Sequence, residues 1–176
     1  MELSCERMTP GHFDPLIEKE HWERYTFAAS RIKNHTVCDV ACGTGYGSKL
    51  LADAGAASVE GFDISPDAIA YAKKNFSTPN VSFNILSAEN LLGVPDGHFS
   101  IVTSFETIEH LSNVEVYVQE MHRILKPGGS FFVSTPDRRL ASVFYSFQGH
   151  PANSYHVREF THKELVTTLT SVRLRG

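Results

Sequence analysis

The sequence lacks any apolar run near the roughly 18 residues that a membrane-spanning helix requires, so we expect no membrane span. Its first residues include acids and no apolar core, so we expect no signal peptide. Only three residues are cysteines, an odd number without a paired framework, which indicates a reducing compartment. These shortages together favour a cytoplasmic protein.

Positive charge is also scarce, since the formal net charge is −4 at pH 7. Proteins that bind nucleic acid usually carry a broad basic surface, so we do not expect a nucleic-acid partner. Cys38 and Cys42 have a metal-like spacing, but no second pair completes a zinc site. The chain has 176 residues, 41% of them hydrophobic, which is typical of one globular domain spanning residues 1–176.

Short apolar segments alternate with amphipathic ones along the chain. The apolar segments predict strands at residues 36–40, 58–63, 81–86, 100–105 and 130–135. Helices are predicted at residues 17–32, from the glycine-rich turn after the first strand to about Ala54, and from Ser65-Pro66 onward. Alternating strands and helices predict an α/β fold with a mostly parallel sheet, which binds ligands at the carboxyl ends of its strands.

The second half of the chain contains two further helix starts. Ser112 with Glu115 predicts a capping box for a helix through Leu125, and Thr161 with Glu164 predicts another for a helix through about Leu169. The turn Lys126-Pro127-Gly128-Gly129 precedes the fifth strand. Residues 171–175 predict a short last strand whose open edge a partner chain could cover in a homodimer, and the alternative is a frayed tail on a monomer.

A glycine-rich turn follows the first strand, and an acid ends the second. Gly43, Gly45 and Gly47 let the backbone approach a ligand, and the next helix offers N–H groups to an anion. Asp63 is placed to accept hydrogen bonds from ribose hydroxyls. The glycines are each two apart, which disfavours the G-x-G-x-x-G pattern of NAD binding.

Four segments resemble motifs of class I S-adenosylmethionine-dependent methyltransferases. DVACGTGYGS resembles the first motif, with Ala41 in place of its first glycine, and GFDIS, ILSAENL and SFETIEHL resemble the next three. The resemblance implies a Rossmann-like three-layer sandwich and S-adenosylmethionine as cofactor. The few residues after about Leu169 predict that the C-terminal strands of this fold are shortened. The implied cofactor-binding residues are Tyr25, Asp39, Ala41, Gly43, Gly45, Asp63, Ile64, Ser87, Ala88, Glu89 and Phe105.

The N-terminal segment adds a more particular resemblance. ERMTPG followed by EHWERYTFAA resembles methyltransferases that occur with bacterial polysaccharide-assembly enzymes, in which this helix closes over the cofactor. It implies a lid containing His21, Arg24 and Tyr25. We therefore divide the domain into an arm and lid helix (1–35), a cofactor-binding core (36–135), an acceptor-side loop (136–161) and a last helix with a short tail (162–176).

Acids and histidines cluster at the end of the fourth strand. Glu106, Glu109 and His110 lie there, and His156 lies in the long loop, where Phe144, Tyr145 and Phe147 are candidates for lining an acceptor pocket. Three interpretations stay open for the cluster. It caps a helix, or His110, His156 and Glu109 supply a catalytic base, or the group binds a divalent metal such as Mg²⁺ or Mn²⁺.

The E-x-x-E-H pattern with a later histidine resembles two metal-assisted families, the small-RNA 2′-O-methyltransferases and the ubiquinone-pathway O-methyltransferases. The resemblance implies Glu106, Glu109, His110 and His156 as metal ligands and vicinal oxygens as the acceptor. We expect in-line methyl transfer to an oxygen of a small-molecule or carbohydrate acceptor. The alternatives are RNA 2′-O-methylation and a non-catalytic S-adenosylmethionine-binding regulatory protein.

Overall fold

A parallel five-stranded sheet forms the centre of the protein. The computed structural model describes residues 15–139 and 155–171, and within them the strand order is β3-β2-β1-β4-β5. The strands are β1 (Thr36–Val40), β2 (Ser58–Asp63), β3 (Val81–Ile85), β4 (Phe99–Phe105) and β5 (Leu125–Ser134). The predicted strand bounds are confirmed within one residue for the first four strands. The order of the strands reverses at β1, since β2 and β3 lie on one side of it and β4 and β5 on the other.

Helices cover both faces of the sheet. They are α1 (Pro15–Ala29), α2 (Tyr46–Asp53), α3 (Pro66–Phe76), α4 (Val114–Ile124) and α5 (His162–Ser171). Successive β1 side chains show the division: Val37 packs in a core with α1, α2 and α3, whereas Cys38 packs in a second core with α4. Side chains alternate across a strand, so both faces of β1 are buried. The predicted α/β three-layer sandwich is confirmed.

Two of the predicted helix caps are confirmed. The Ala68 N–H donates to the Ser65 hydroxyl at 3.3 Å, with Pro66 in the first turn of α3. Thr161 and Glu164 form a reciprocal capping box, in which the Thr161 N–H donates to the Glu164 carboxylate at 2.8 Å.

The predicted Ser112–Glu115 box is wrong. Asn113 caps α4, since its side-chain oxygen accepts from the Val116 N–H at 3.2 Å, and α4 ends at Ile124 rather than at Leu125. Asparagine caps a helix as well as serine does, so the sequence alone did not decide between adjacent candidates.

Other boundaries also differ from prediction. Helix α1 starts at Pro15 and ends at Ala29, not at residue 32, because the chain turns there and the Arg31 N–H bonds the Ala28 carbonyl. Strand β5 starts at Leu125, and the register shift between Phe99 and Ile101 accommodates the predicted Lys126–Gly129 turn within it. Helix α5 continues to Ser171, and the rest of the predicted 171–175 strand lies outside the described residues. Among the described residues, no helix is long and apolar enough to cross a membrane.

Candidate active site

A cavity of about 670 Å³ opens at the carboxyl ends of the strands. Nine of the eleven predicted cofactor-binding residues line it, and they are Tyr25, Ala41, Gly43, Asp63, Ile64, Ser87, Ala88, Glu89 and Phe105. All four predicted metal-ligand residues line it as well. The loops after β1, β2, β3 and β4 thus meet in one place, as expected for this kind of sheet.

The other two predicted cofactor residues, Asp39 and Gly45, do not line the cavity and instead hold the glycine loop. Gly45 starts α2 with a φ of +85°, and a Cβ there would lie 2.7 Å from Ala72 and 2.8 Å from the Phe83 ring. Only glycine satisfies both conditions. Ala41, at the position of the motif's first glycine, has a φ of +60°, which is unfavourable for an L-residue.

Asp39 lies fully buried beneath the glycine loop. Its carboxylate accepts from the Ser48 hydroxyl at 2.6 Å, the Thr103 hydroxyl at 2.8 Å and the Tyr25 hydroxyl at 3.2 Å. Burial raises its pKa to about 6, and the three hydroxyl donors act in the opposite direction. The carboxylate therefore joins α1, α2 and β4 below the cavity.

Asp63 is fixed by two backbone groups at the end of β2. The Gly43 N–H donates to Oδ2 at 3.0 Å, and the Ser65 N–H donates to Oδ1 at 2.8 Å. Its side chain thus connects the glycine loop with the start of α3. These bonds orient the carboxylate at the cavity wall.

The loop after β3 is tied to α4. The Glu89 N–H donates to the Ser87 hydroxyl at 3.2 Å, and the Glu89 carboxylate accepts from the Asn113 N–H. Both residues line the cavity, so these bonds set the shape of its wall between β3 and α4.

Helix α1 covers one side of the cavity with the residues predicted as a lid. His21 and Tyr25 line the cavity, and His21 Nδ1 lies 3.0 Å from the Tyr46 hydroxyl. Burial lowers the pKa of His21 to about 4, and the nearby Arg24 charge acts in the same direction. Tyr46 also lines the cavity and was not predicted from the sequence, where its place directly after Gly45 was the available signal.

The side chains of Glu109, His110 and His156 converge just beyond the carboxyl end of β4. One potential ligand atom from each lies within 4.8 Å of the others, and the two imidazole centroids are 4.9 Å apart. Each imidazole uses Nδ1 for another contact: His110 Nδ1 lies 3.1 Å from the Tyr155 carbonyl, and His156 Nδ1 lies 3.2 Å from Glu159. Glu159 was not predicted from the sequence, where its spacing of three residues from His156 was the available signal.

Glu109 is almost completely buried, with 1% of its surface exposed. Among the described residues, neither carboxylate oxygen has a well-formed hydrogen bond, and the same is true of the nearby Thr135 hydroxyl. Burial and then the Glu106 carboxylate raise the pKa of Glu109 to about 8. A buried carboxyl group without firm partners, facing two histidines, is typical of a functional site.

The structure does not bring Glu106 into this group of three. Its Oε1 accepts from the Ser134 hydroxyl at 2.7 Å and lies 3.4 Å from Arg24 Nε on α1. Its backbone has a φ of +50°, a conformation that non-glycine residues rarely adopt away from functional sites. Glu106 thus connects α1 with the ends of β4 and β5.

The fold and the cavity together define a class I methyltransferase domain. Residues 38–133 match the methyltransferase domain family, which covers more than half of the chain. The chain therefore belongs to this family of S-adenosylmethionine-dependent methyltransferases.

Relatives in the family extend the similarity over nearly the whole chain. A protein of Mycolicibacterium smegmatis, named as a probable S-adenosylmethionine-dependent methyltransferase, is 33% identical over 96% of this chain and 63% of its own length. The ubiquinone biosynthesis O-methyltransferase of Pseudomonas paraeruginosa is 34% identical over 65% of this chain and 50% of its own. The chain spans about three fifths of the length of the mycobacterial relatives it matches.

Solved structures show the same fold. The PH0226 protein of Pyrococcus horikoshii superimposes with a TM-score of 0.75 at 25% identity, over 94% of this chain and 87% of that one. A chain in the complex between the Haloferax volcanii Trm112 methyltransferase activator and a methyltransferase gives 0.75 at 26% identity, over 89% of this chain and 69% of that one.

Proposed function

We propose that this protein transfers the methyl group of S-adenosylmethionine to an oxygen atom of a small-molecule or carbohydrate acceptor. The observation that carries the proposal is the convergence of the glycine loop, Asp63 and the Glu109–His110–His156 group on one cavity. The cofactor's charged end would lie at the start of α2, and its ribose hydroxyls would bond Asp63. Ile64 and residues 87–89 would contact the adenine.

Methyl transfer in this site is an in-line displacement. The acceptor oxygen forms a bond to the methyl carbon as the bond from that carbon to sulfur breaks, leaving S-adenosylhomocysteine and one proton. Alignment of the three atoms supplies much of the acceleration, so the residues that fix the cofactor matter as much as those that accept the proton. Tyr25 and Phe105, in edge contact at 5.0 Å, would flank the reacting sulfur.

Binding of S-adenosylhomocysteine, measured by calorimetry, tests the cofactor assignment. We expect 1:1 binding that Asp63→Ala weakens strongly, whereas the matched variant Asp53→Ala, at an exposed acid on α2, leaves it unchanged. Because Asp63 also holds Gly43 and Ser65, thermal melts of both variants must show that they are folded. Preferential binding of NAD would overturn the assignment.

Glu109, His110 and His156 fit a divalent cation by their donor chemistry. They offer one carboxylate and two imidazoles, a set that suits Mn²⁺, Zn²⁺ or Mg²⁺. A bound cation would orient an acceptor hydroxyl and make it more acidic. Similarity to ubiquinone biosynthesis O-methyltransferases supports an oxygen acceptor, and vicinal oxygens would chelate such a cation. Without a cation, His110 or His156 would accept the proton as a general base.

Titration with Mn²⁺ tests the metal interpretation. We expect His110→Ala and His156→Ala each to weaken Mn²⁺ binding at least about tenfold, since even supporting residues change affinity by about 10- to 100-fold. His98→Ala is the control, because His98 pairs with Glu60 instead of this group. Glu106→Gln tests whether the fourth predicted ligand takes part. Full activity in excess chelator would leave only the base interpretation.

RNA 2′-O-methylation is the second candidate, favoured by the same Glu109–His110–His156 group and opposed by the net charge of −4. Assays with catechols, sugars and short RNA in parallel separate the two. Cofactor binding without transfer to any of them would favour a regulatory protein.

A further inference from the structure

We propose that Glu159 is a positioning residue that holds the imidazole of His156 with its proton on Nδ1, so that Nε2 is the nitrogen offered to Glu109 and His110. The inference rests on the proposed function, because it describes how that group of three is made ready. It assigns a role to a residue that no motif singled out.

The contact between His156 and Glu159 is buried and within hydrogen-bonding distance. His156 Nδ1 lies 3.2 Å from Glu159 Oε1, and the two side chains are 9% and 6% exposed. A carboxylate accepts but does not donate, so it selects the tautomer whose Nδ1 carries hydrogen. Burial strengthens this selection, since water does not compete for either group.

The backbone around Glu159 is fixed from two directions. The N–H groups of Val157 and Arg158 both donate to the Glu109 carbonyl, at 2.8 and 3.1 Å. Phe160 is completely buried, and its carbonyl accepts from the Arg138 N–H at 2.9 Å. Glu159 therefore lies on a short segment that cannot shift without breaking contacts on both sides.

His110 shows the same arrangement with a different partner. Its Nδ1 lies 3.1 Å from the Tyr155 carbonyl, and its Nε2 is 4.0 Å from Glu109 Oε1. A carbonyl, like a carboxylate, selects the tautomer with hydrogen on Nδ1. His110 thus presents Nε2 to Glu109, and the proposal gives His156 the same arrangement, with an acceptor holding Nδ1 of each imidazole. Histidines that bind metals are commonly oriented in this way.

Nitrogen-15 NMR of histidine side chains in the full-length, metal-free protein tests the assignment. In mildly alkaline solution, where imidazoles are neutral, we expect His156 to carry hydrogen on Nδ1. Glu159→Ala should shift it toward the Nε2–H form that exposed imidazoles favour, and Glu159→Gln should restore much of the original signal because the amide oxygen still accepts. His110 is the internal reference and should keep its Nδ1–H form in every variant.

A matched variant separates positioning from general stability. Glu164→Ala removes an acid from the same segment, where it caps α5 and does not touch His156. It should lower stability and leave the His156 tautomer unchanged. If the His156 signal responds equally to Glu159→Ala and Glu164→Ala, or to neither, the proposal is wrong.

Measuring Mn²⁺ binding by the same variants distinguishes a failure of the metal interpretation from a failure of the role proposed for Glu159. If the wild type binds Mn²⁺, Glu159→Ala should weaken binding about 10- to 100-fold with Glu159→Gln between the two, and unchanged affinity would overturn the role of Glu159. If the wild type binds no Mn²⁺, the metal interpretation fails. The tautomer measurement then decides alone whether Glu159 orients His156.

Discussion

Asp39 combines complete burial with three hydroxyl donors, and its raised pKa makes protein stability depend on pH. In the folded protein its pKa is about 6, against 3.8 for an ordinary aspartate. Between these values the folded chain binds a proton that the unfolded chain releases, so stability is lost as the pH rises through 6.

Between pH 4 and pH 7, we expect the free energy of unfolding of the wild type to fall by on the order of 2–3 kcal/mol relative to that of Asp39→Asn, since one pKa unit corresponds to about 1.4 kcal/mol. Urea denaturation at a series of pH values measures this. Asp53→Asn, at an exposed site, should run parallel to the wild type. A constant difference between wild type and Asp39→Asn would contradict the expectation.

Ala41 has a backbone conformation that glycine adopts without strain. At a φ of +60°, the left-handed backbone costs an L-residue roughly 1–2 kcal/mol of folding stability. Replacing alanine by glycine also lowers the stability by about 0.4–1 kcal/mol, because glycine gives the unfolded chain more conformational freedom. At Ala54, where φ is −76° and the backbone is unstrained, a change to glycine has only the effect on the unfolded chain. We therefore expect Ala41→Gly to be more stable than Ala54→Gly by about 1–2 kcal/mol in chemical denaturation. Equal stabilities would show that the loop carries no strain at Ala41.

Single residues show where sequence reasoning reaches its limit. The positions of Gly43, Asp63 and His110 after strands follow from the local sequence pattern, because each strand can be recognised from its own residues and its end located without knowledge of the rest of the fold. The partner of Glu106 does not, since Arg24 comes from a helix far away in the sequence and meets it only through the packing of α1. The cap at Asn113 was not predictable either, because Ser112 and Asn113 are adjacent and both residue types cap helices well.

At the scale of elements, α1 packs against α2 through an aromatic ring that lies directly on a glycine. A Cβ on Gly47 would lie 2.0 Å from the Tyr25 ring, so α2 must have glycine where α1 crosses it. We expect Gly47→Ala to push α1 off the cavity, weaken S-adenosylhomocysteine binding and cost about 1–3 kcal/mol of stability, as overpacking usually does. Calorimetry and denaturation measure the two effects.

A double-mutant cycle identifies the clash as the cause. Tyr25→Ala removes the ring, so Gly47→Ala should cost much less in that background than in the wild type. Additive losses would mean that the cost of Gly47→Ala does not come from the Tyr25 ring, and that the contact with α1 is incidental, since alanine by itself favours a helix over glycine.

The bounds of a strand or helix were predictable where the sequence signal for them lies within the element itself. Strand β1 is buried on both faces, so its short, largely apolar run indicated its bounds directly. The start of β5 was not visible, because Pro127 and two glycines indicate a turn and only the register with β4 shows that pairing begins before it. The extent of α1 depended on the turn at Ala28–Arg31.

At the scale of the whole molecule, residues 155–171 belong to the folded core rather than to a loose flap. Phe160 is fully buried in the same core as α4, and its backbone pairs with Asp137 beside β5. Phe160→Ala should therefore lower the free energy of global unfolding by about 3–5 kcal/mol. The exposed Val157→Ala should change it by less than about 0.5 kcal/mol. An unchanged denaturation midpoint for Phe160→Ala would show a flap that opens independently.

The placement of β1 at the middle of the sheet has a consequence during protein synthesis. Its neighbour β2 is synthesised soon after it, but Val37 can pair on its other side only after Ile101 has been synthesised. The Glu109–His110–His156 group is complete only after His156 has been synthesised. Loop closure over such separations is slow, so a nascent chain exposes one flank of β1 until most of the domain has emerged. Chaperone contact should therefore concentrate on the early strands, and cofactor capture should come only after the last of these segments leaves the exit tunnel.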